Sequence, residues 1–284
     1  MLDYIYSVIY GIIQGITEWL PISSTGHLLL AENFIPLEVA KGNNFFDMFE
    51  VVIQFGSILA VLILFWNKLW PFKYEKNNGI KPKIDSFKLW GKVIVGIIPA
   101  FIAGVVIKVT NFDDIMNSNW VIATTLIIYG ILFIVVEAIN KKRKTKINSF
   151  DDISYKMALL VGCFQALALI PGTSRSGATI LGAIILGFYR PVAAEFSFFL
   201  AIPTMAGASA LSVLDFILED GSFTTDQIIV LLLGTLVSFV VSVVAIKFLM
   251  SFIQKRDFSA FGYYRIALGI IVLILGFSKV ITLA

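Results

Sequence analysis

The chain predicts an all-α polytopic membrane protein with a single membrane domain over residues 1–284. Each half is expected to be a re-entrant helical hairpin followed by three transmembrane helices, with the second half inverted relative to the first. Three observations predict this: an apolar composition, an alternation of basic and acidic connections, and a polar break that occurs twice.

Of the 284 residues, 58% are hydrophobic and 14% charged, against about 25% charged in soluble domains. Val51–Trp66, Val93–Val109, Val121–Ile139, Ile228–Met250 and Ile266–Ile281 are almost free of charge. A bilayer core of about 30 Å needs roughly 20 such residues per helix, with about 17 tolerated. Met1–Tyr10 holds Asp3 and no base, so it does not read as a cleaved leader. The single cysteine, Cys163, excludes an intrachain disulfide and a multi-cysteine metal site; it is expected to be a small packing residue.

The elements follow from the charges. Residues 4–35 form the first hairpin, with Pro21–Gly26 at its tip. Spans then run over 46–66, 92–109 and 120–139. Lys68–Lys92 holds seven lysines, Lys141–Lys156 six basic residues and Lys247–Arg265 four. Positive-inside bias puts these three connections in the cytoplasm. Asn111–Asn119 carries Asp113 and Asp114 without a base, and Glu219–Asp226 carries three acids without a base; both go outside by elimination. The chain is inside at Lys156, and the span at about 196–217 starts inside near Arg190 and ends outside at Glu219. Residues 157–189 must therefore leave the inner face and return to it, with Pro171–Gly177 in the middle. Repeat one covers about 1–140 and repeat two about 156–284. Three crossings per half is an odd number, which inverts the second half. Such repeats place a polar site at the midplane where the halves meet.

The break itself is duplicated. Gln14-Gly-Ile-Thr-Glu18-Trp-Leu-Pro21-Ile-Ser23-Ser24-Thr25-Gly26-His27 matches Gln165-Ala-Leu-Ala-Leu-Ile-Pro171-Gly-Thr-Ser174-Arg175-Ser176-Gly177, and Ser23 and Ser174 lie 151 residues apart. Gln14 and Glu18, four apart, share a helix face. A carboxylate within a membrane is costly and marks function. Glu18 is expected to hold a divalent cation completed by substrate phosphates and water, or to accept a proton; the bland alternative is a protonated Glu bonded to the other repeat. Ser23 or Ser24, and Ser174 or Ser176, can cap the helices that follow. Those helix N-termini form an anion site, to which Thr25 adds a hydroxyl. His27, the only histidine, follows Ser24 by three and can serve as base or nucleophile. Arg175 is expensive in lipid unless paired, binds phosphate through its fork, and can pair with Glu18 when no substrate is bound. Asp47, Glu50, Glu195 and Asp215 are expected at the membrane interfaces, and Lys108 to snorkel. Ala206–Ala210 and Gly182–Gly187 allow close helix approach and are expected to pack helices, the alternative being that they line a slot for the lipid tail.

Gln14-x-x-x-Glu18 resembles the [Glu/Gln]-x-x-x-Glu motif of the bacterial undecaprenyl-diphosphate phosphatases of the bacitracin-resistance type. Pro171-Gly-Thr-Ser-Arg-Ser-Gly-Ala-Thr179 resembles their Pro-Gly-x-Ser-Arg-Ser-x-x-Thr motif, and the Ser24-x-x-His27 placement also fits. The resemblance covers the whole chain. It implies hydrolysis of undecaprenyl diphosphate to the monophosphate and inorganic phosphate, recycling the cell-wall lipid carrier. It also implies a divalent cation, Mg2+ or Ca2+, a bacterial plasma-membrane location and a site facing the extracytoplasmic side. The functional positions it implies are Glu18, Ser24, His27, Ser174, Arg175 and Thr179, with Gln14 as the first motif position and Glu18 as the main metal ligand.

The mechanism expected from these residues has Arg175, the Ser174 hydroxyl and hairpin N–H groups holding the diphosphate. Ser24 attacks with His27 as base; the alternatives are His27 as nucleophile or as activator of water. Gln14, Ser23, Thr25, Ser174, Ser176 and Thr179 are the expected substrate contacts, and the lipid tail lies between spans. No nucleic-acid partner is expected, and a homodimer is compatible with the sequence. The rival class is a transporter or flippase of an anionic polyprenyl lipid, since inverted repeats also build transporters.

Overall fold

The computed structural model describes residues 1–75, 79–110, 118–141 and 143–278. In chain order its helices are α1 (Leu2–Thr17), α2 (Ser24–Phe34), α3 (Phe45–Leu64), α4 (Trp66–Leu69), α5 (Ile84–Thr110), α6 (Asn119–Asn140), α7 (Tyr155–Ala166), α8 (Arg175–Ile185), α9 (Arg190–Glu219), α10 (Thr225–Lys255) and α11 (Ser259–Phe277). Among the described residues α3, α5, α6, α9, α10 and α11 are long and apolar enough to cross a membrane. The chain is a multi-pass, all-α membrane protein. One feature of the first basic connection escaped the sequence reading: Phe72–Glu75 (β1) pairs antiparallel with Gly79–Pro82 (β2), Phe72 opposite Pro82. Its signal is the Asn78-Gly79 dipeptide. The acidic connection at Asp113 and Asp114 falls in 111–117, outside the described residues, as do Lys76, Lys142 and residues 279–281 of the last apolar stretch.

Two helix pairs are short. α2 and α8 have 11 residues each, about 17 Å at 1.5 Å per residue, roughly half a bilayer core. α1 is separated from α2 by residues 18–23. α7 continues through a 3-10 turn, Leu167–Leu169, and residues 170–174 lead into α8. A proline stands in each break, Pro21 and Pro171, where it withholds a backbone donor and ends helical continuation.

The two pairs are built alike. Among the described residues Ser23 and Ser174 alone are non-glycine residues with positive φ, 75° and 70°. Each hydroxyl accepts the N–H of the glycine three residues on, Gly26 at 3.4 Å and Gly177 at 3.1 Å. The packing partners are exchanged between halves: α1 lies along α10, and α7 along α5. Both crossings use glycine at matched positions, three residues before Gln14 and before Gln165. A Cβ on Gly11 would sit 2.7 Å from the Gly234 carbonyl oxygen, and one on Gly162 would sit 2.0 Å from that of Gly96. No larger residue permits these backbone approaches. α6 pairs with α11 and α3 with α9 and α10, which closes the bundle.

Several expectations change once the helices are in place. Cys163 is exposed on α7 and packs nothing inside. Arg265 does not lie in the cytoplasmic connection to which its charge was assigned; it sits within α11 and is fully buried. Lys247 likewise belongs to α10, leaving Lys255 and Arg256 near that turn. Gly182 packs as expected, its added Cβ only 2.3 Å from the Phe164 ring, but Gly207 faces open space. Of the interfacial acids, Glu195 pairs with Lys68, and Asp215 accepts from Lys108 at 3.2 Å.

A buried ion pair fixes one end of the bundle. Glu137, at the end of α6, has no exposed surface. Its Oε2 accepts from Arg190 Nη2 at 2.6 Å, and its Oε1 accepts from Arg190 Nε at 2.9 Å and from the Phe258 N–H at 3.2 Å. It thereby ties α6 to the start of α9 and to the α10–α11 turn. Glu137→Ala strands the guanidinium and should destabilise by about 3 kcal/mol or more. Thermal unfolding in detergent micelles checks this, with Lys41→Ala, which breaks an exposed pair with Glu38, expected to leave the midpoint unmoved.

Candidate active site

The two breaks meet. Glu18 is the C-cap of α1 and the first residue of break one, and Arg175 opens α8 after break two. Their side chains form an ion pair, Nη2 to Oε1, of 2.8 Å, with 13% and 6% of the side chains exposed. The other carboxylate oxygen, Oε2, accepts from Gln14 Nε2 at 3.0 Å and from Ser24 Oγ at 3.2 Å. Ser176 Oγ crosses to the Glu18 carbonyl at 2.9 Å. Gln14, Glu18, Ser24, Arg175 and Ser176 therefore form one hydrogen-bonded cluster drawn from both halves.

Arg175 is held through both terminal nitrogens and one ring face, while its Nε is buried without a partner. Nη1 donates to the Ser197 carbonyl at 2.8 Å, and the guanidinium lies over the Trp19 ring with its carbon 5.4 Å from the centroid. Trp19 is itself braced edge-on by Phe198. Thr179 Oγ1 stands 2.5 Å from Ser197 Oγ and donates within α8 to the Arg175 carbonyl at 2.9 Å. Thr179 thus shapes the floor beneath the arginine. Its partner Ser197, a hydroxyl in an otherwise phenylalanine-rich stretch, is a site residue the sequence reading missed, as is Trp19.

His27 is placed differently from expectation. Nδ1 lies 2.7 Å from the Ser23 carbonyl and Nε2 2.7 Å from the Tyr264 hydroxyl. A carbonyl has no proton to give, so Nδ1 carries the hydrogen and Nε2 accepts from tyrosine. The rings stack at 5.6 Å and 8°. The Ser24 hydroxyl meets Glu18, not the imidazole. Ser23 is buried and Ser174 half-buried, both as helix caps. Thr25 is exposed, and no hydrogen bond among the described residues joins it to the cluster.

Arg265 closes the far side. Nη2 donates to the carbonyls of Gly172 at 2.8 Å and Thr173 at 3.0 Å, and Nη1 to that of Pro21 at 3.4 Å. One guanidinium thus bridges both breaks. Its signal in the sequence was a lone Arg just ahead of the apolar stretch at Ile266, legible only once the helix is known to begin at Ser259.

The chemistry of the donors can be read directly. Gln14 Oε1 is buried without a partner beside the Glu18 carboxylate. Two hard oxygens on one helix face fit a Mg2+ or Ca2+ ion whose remaining positions are filled by phosphate oxygens and water. Among the described residues no group of three or more His, Cys, Asp or Glu forms a protein-only cage. The first turn of α8 offers the N–H groups of Arg175 and Ser176, which a helix N-terminus leaves unpaired and directs at anions. A cavity of about 380 Å3 between α5 and α9 reaches Arg175. Its walls are apolar, Gln165 and Thr204 stand with Arg175 among its lining, and Lys108 lies at the outer ends of the two helices. Gly207 and Ala208 line it, so one face of the Ala206–Ala210 stretch borders the slot, while buried Ser209 on the same stretch packs against α3 and donates to the Val51 carbonyl at 3.0 Å.

Removing Arg175 leaves Glu18 buried and unpaired. Arg175→Ala should cost about 3 kcal/mol of stability, and adding Glu18→Gln should restore part of it. Thermal midpoints of the two single variants and the double variant measure this coupling.

Comparison with known proteins agrees with the site. Residues 7–271 match the family model described as bacitracin resistance protein BacA. An undecaprenyl-diphosphatase of Acetivibrio thermocellus is 51% identical, the alignment covering 96% of this chain and 98% of that protein. One of Enterococcus faecalis is 52% identical over 94% and 95% of the two chains. Undecaprenyl-diphosphatase 1 of Clostridioides difficile strain 630 is 53% identical over 96% of each. With both motifs brought to one buried cluster, and with this match along nearly its whole length, the chain belongs to the bacitracin resistance protein BacA family.

Proposed function

We propose that this protein hydrolyses undecaprenyl diphosphate to undecaprenyl phosphate and inorganic phosphate, returning the lipid carrier to cell-wall synthesis. The observation that carries it is the junction of a hydroxyl, a carboxylate and an arginine, Ser24–Glu18–Arg175, beside the N-terminus of α8. The relatives' shared name supports the substrate. A transporter needs an anion site but has no use for a nucleophile hydrogen-bonded to a buried base.

The two short helix pairs act as re-entrant hairpins of an inverted repeat. The matched Ser23 and Ser174 caps, the matched Gly11 and Gly162 crossings and the exchanged partners α10 and α5 support that arrangement. The protein lies in the bacterial plasma membrane with its basic connections inside. The cavity at Arg175 runs toward Lys108 and Asp215, near the ends of α5 and α9 that lead to the acidic connections. That direction supports a site open to the extracytoplasmic side, with the polyprenyl chain lying in the apolar slot.

Phosphoryl transfer needs an in-line nucleophile and neutralised phosphate charge. On arrival the diphosphate competes with Glu18 for Arg175, whose fork binds phosphate oxygens alongside the α8 N–H groups. Glu18, released from the ion pair, takes the proton of Ser24 Oγ. The oxygen attacks the terminal phosphorus, the bond from that phosphorus to the bridging oxygen breaks, and undecaprenyl phosphate leaves with the bridging oxygen and its electron pair. Water then attacks the phosphoserine, losing its proton to His27 Nε2; the bond from phosphorus to Ser24 Oγ breaks, Oγ takes back the proton held by Glu18, and inorganic phosphate leaves. His27, anchored on the Ser23 carbonyl, positions the residue that precedes the nucleophile and offers Nε2 to the incoming water once Tyr264 swings away. Glu18 and Gln14 Oε1 would hold the divalent cation, which when bound would supply further neutralisation of phosphate charge.

The test is phosphate release from undecaprenyl diphosphate in detergent micelles, where no gradient exists. An enzyme turns over there and a pure transporter does not. Glu18→Gln should slow turnover by about 10²–10⁴-fold, the usual worth of positioned proton transfer. Ser24→Ala should be slower still and should lose the phosphoserine trapped by acid quench of labelled substrate; a variant keeping more than about a tenth of the rate would transfer the attack to water or His27. Chelation should stop release, and undiminished release in chelator would remove the cation from the reaction.

A further inference from the structure

Arg265 carries a charge that the protein itself does not neutralise. Its side chain is fully buried on α11. Every polar contact it makes is to a backbone carbonyl, those of Pro21, Gly172 and Thr173, and its flat face lies 5.5 Å from the Tyr129 ring centroid. No carboxylate pairs with it among the described residues, whereas Arg175 has Glu18 and Arg190 has Glu137. The cluster at the breaks therefore holds two guanidinium ions against one carboxylate. Within a bilayer an uncompensated cation is costly and persists where a ligand uses it.

The neighbours of Arg265 indicate that use. The carbonyl of Thr173, which it binds, belongs to the same peptide unit as the Ser174 N–H at the start of α8. A cation on the oxygen of a peptide unit polarises its N–H, and hydrogen bonds strengthen one another along such a chain. A Cβ on Gly177 would stand 3.2 Å from Arg265 Nη1, so the charge lies directly behind the first turn of α8, whose N–H groups face the phosphate site. The same guanidinium reaches across to Pro21 and so holds the two breaks at one spacing.

We infer that Arg265 is a positioning residue for this reaction: it supplies the site's unbalanced positive charge from behind the breaks, so that the site favours an anionic diphosphate over a neutral or zwitterionic headgroup. The inference rests on the diphosphatase reading for its substrate but can be measured without turnover.

The experiment compares wild type, Arg265→Lys and Arg265→Met in detergent. Binding of inorganic diphosphate is followed by the upward shift of the thermal midpoint, and turnover by phosphate release. Arg265→Met should weaken diphosphate binding and raise KM by about tenfold or more, the effect of removing one unit charge that acts through space in a low-dielectric site. Arg265→Lys should keep most of the affinity while lowering kcat, because it retains the charge but cannot bridge both breaks with one fork. A purely structural role would lower both thermal midpoints without separating the two variants in affinity. If Arg265→Met does not fold, Arg265→Lys against wild type decides: affinity retained with reduced kcat supports the inference, and affinity lost along with kcat overturns it. Unchanged KM and diphosphate affinity in folded Arg265→Met also overturns it. Wild type that releases no phosphate yet binds diphosphate would sink the enzymatic reading alone.

Discussion

Broken backbone buried among apolar helices has to find hydrogen-bond partners, and that requirement organises this molecule. Water is scarce at that depth, so irregular segments survive only where protein satisfies them. Here the freed carbonyls are met by side chains. Ser176 takes that of Glu18, Arg265 those of Pro21, Gly172 and Thr173, His27 that of Ser23, and Thr125 that of Pro171 at 2.7 Å. Ser176 and His27, which look like site residues in the sequence, thus also help the breaks to exist, together with Arg265 and Thr125, which do not stand out there.

That double duty explains the tightness of the cluster. The positive φ of Ser23 and Ser174 stores strain of order 1–3 kcal/mol at each position, held in place because the side chains around them are over-determined. Each strained serine ends its loop in a cap and turns the next helix so that its N-terminus faces the other break. In the proposed reaction such fixed donors would stabilise the transferring phosphoryl group without reorganisation.

The duplicated backbone carries divergent chemistry. Ser24 and Arg175 are both the first residues of their helices, directly after the strained serines. One half supplies the hydroxyl and carboxylate, the other the guanidinium. Two breaks with the same serine-cap geometry but different side chains thus meet in one asymmetric cluster. The cavity between α5 and α9 adds to the asymmetry, since it opens the arginine side to an apolar slot that an isoprenoid chain can fill.

Much of this was legible in the linear chain. Composition and charge alternation located the six long helices, because a lipid core sets their length and the translocation machinery sorts their flanking bases. The repeated Gln-to-Gly pattern located both breaks and named Gln14, Glu18, Ser24, Arg175 and Ser176, because costly polar groups in an apolar setting stand out by contrast. What stayed hidden was partnership. Arg265 looked like one more cytoplasmic base, since a charge near a helix end carries no mark of which way it points. Ser197, Trp19 and Tyr264 looked like ordinary helix residues, and His27 looked like the base for a serine three residues away. Only the crossing of α11 and α9 over the breaks decided these pairings. Contacts between residues remote in the chain depend on how helices pack, and packing is set by side-chain shape across an interface that no single segment encodes.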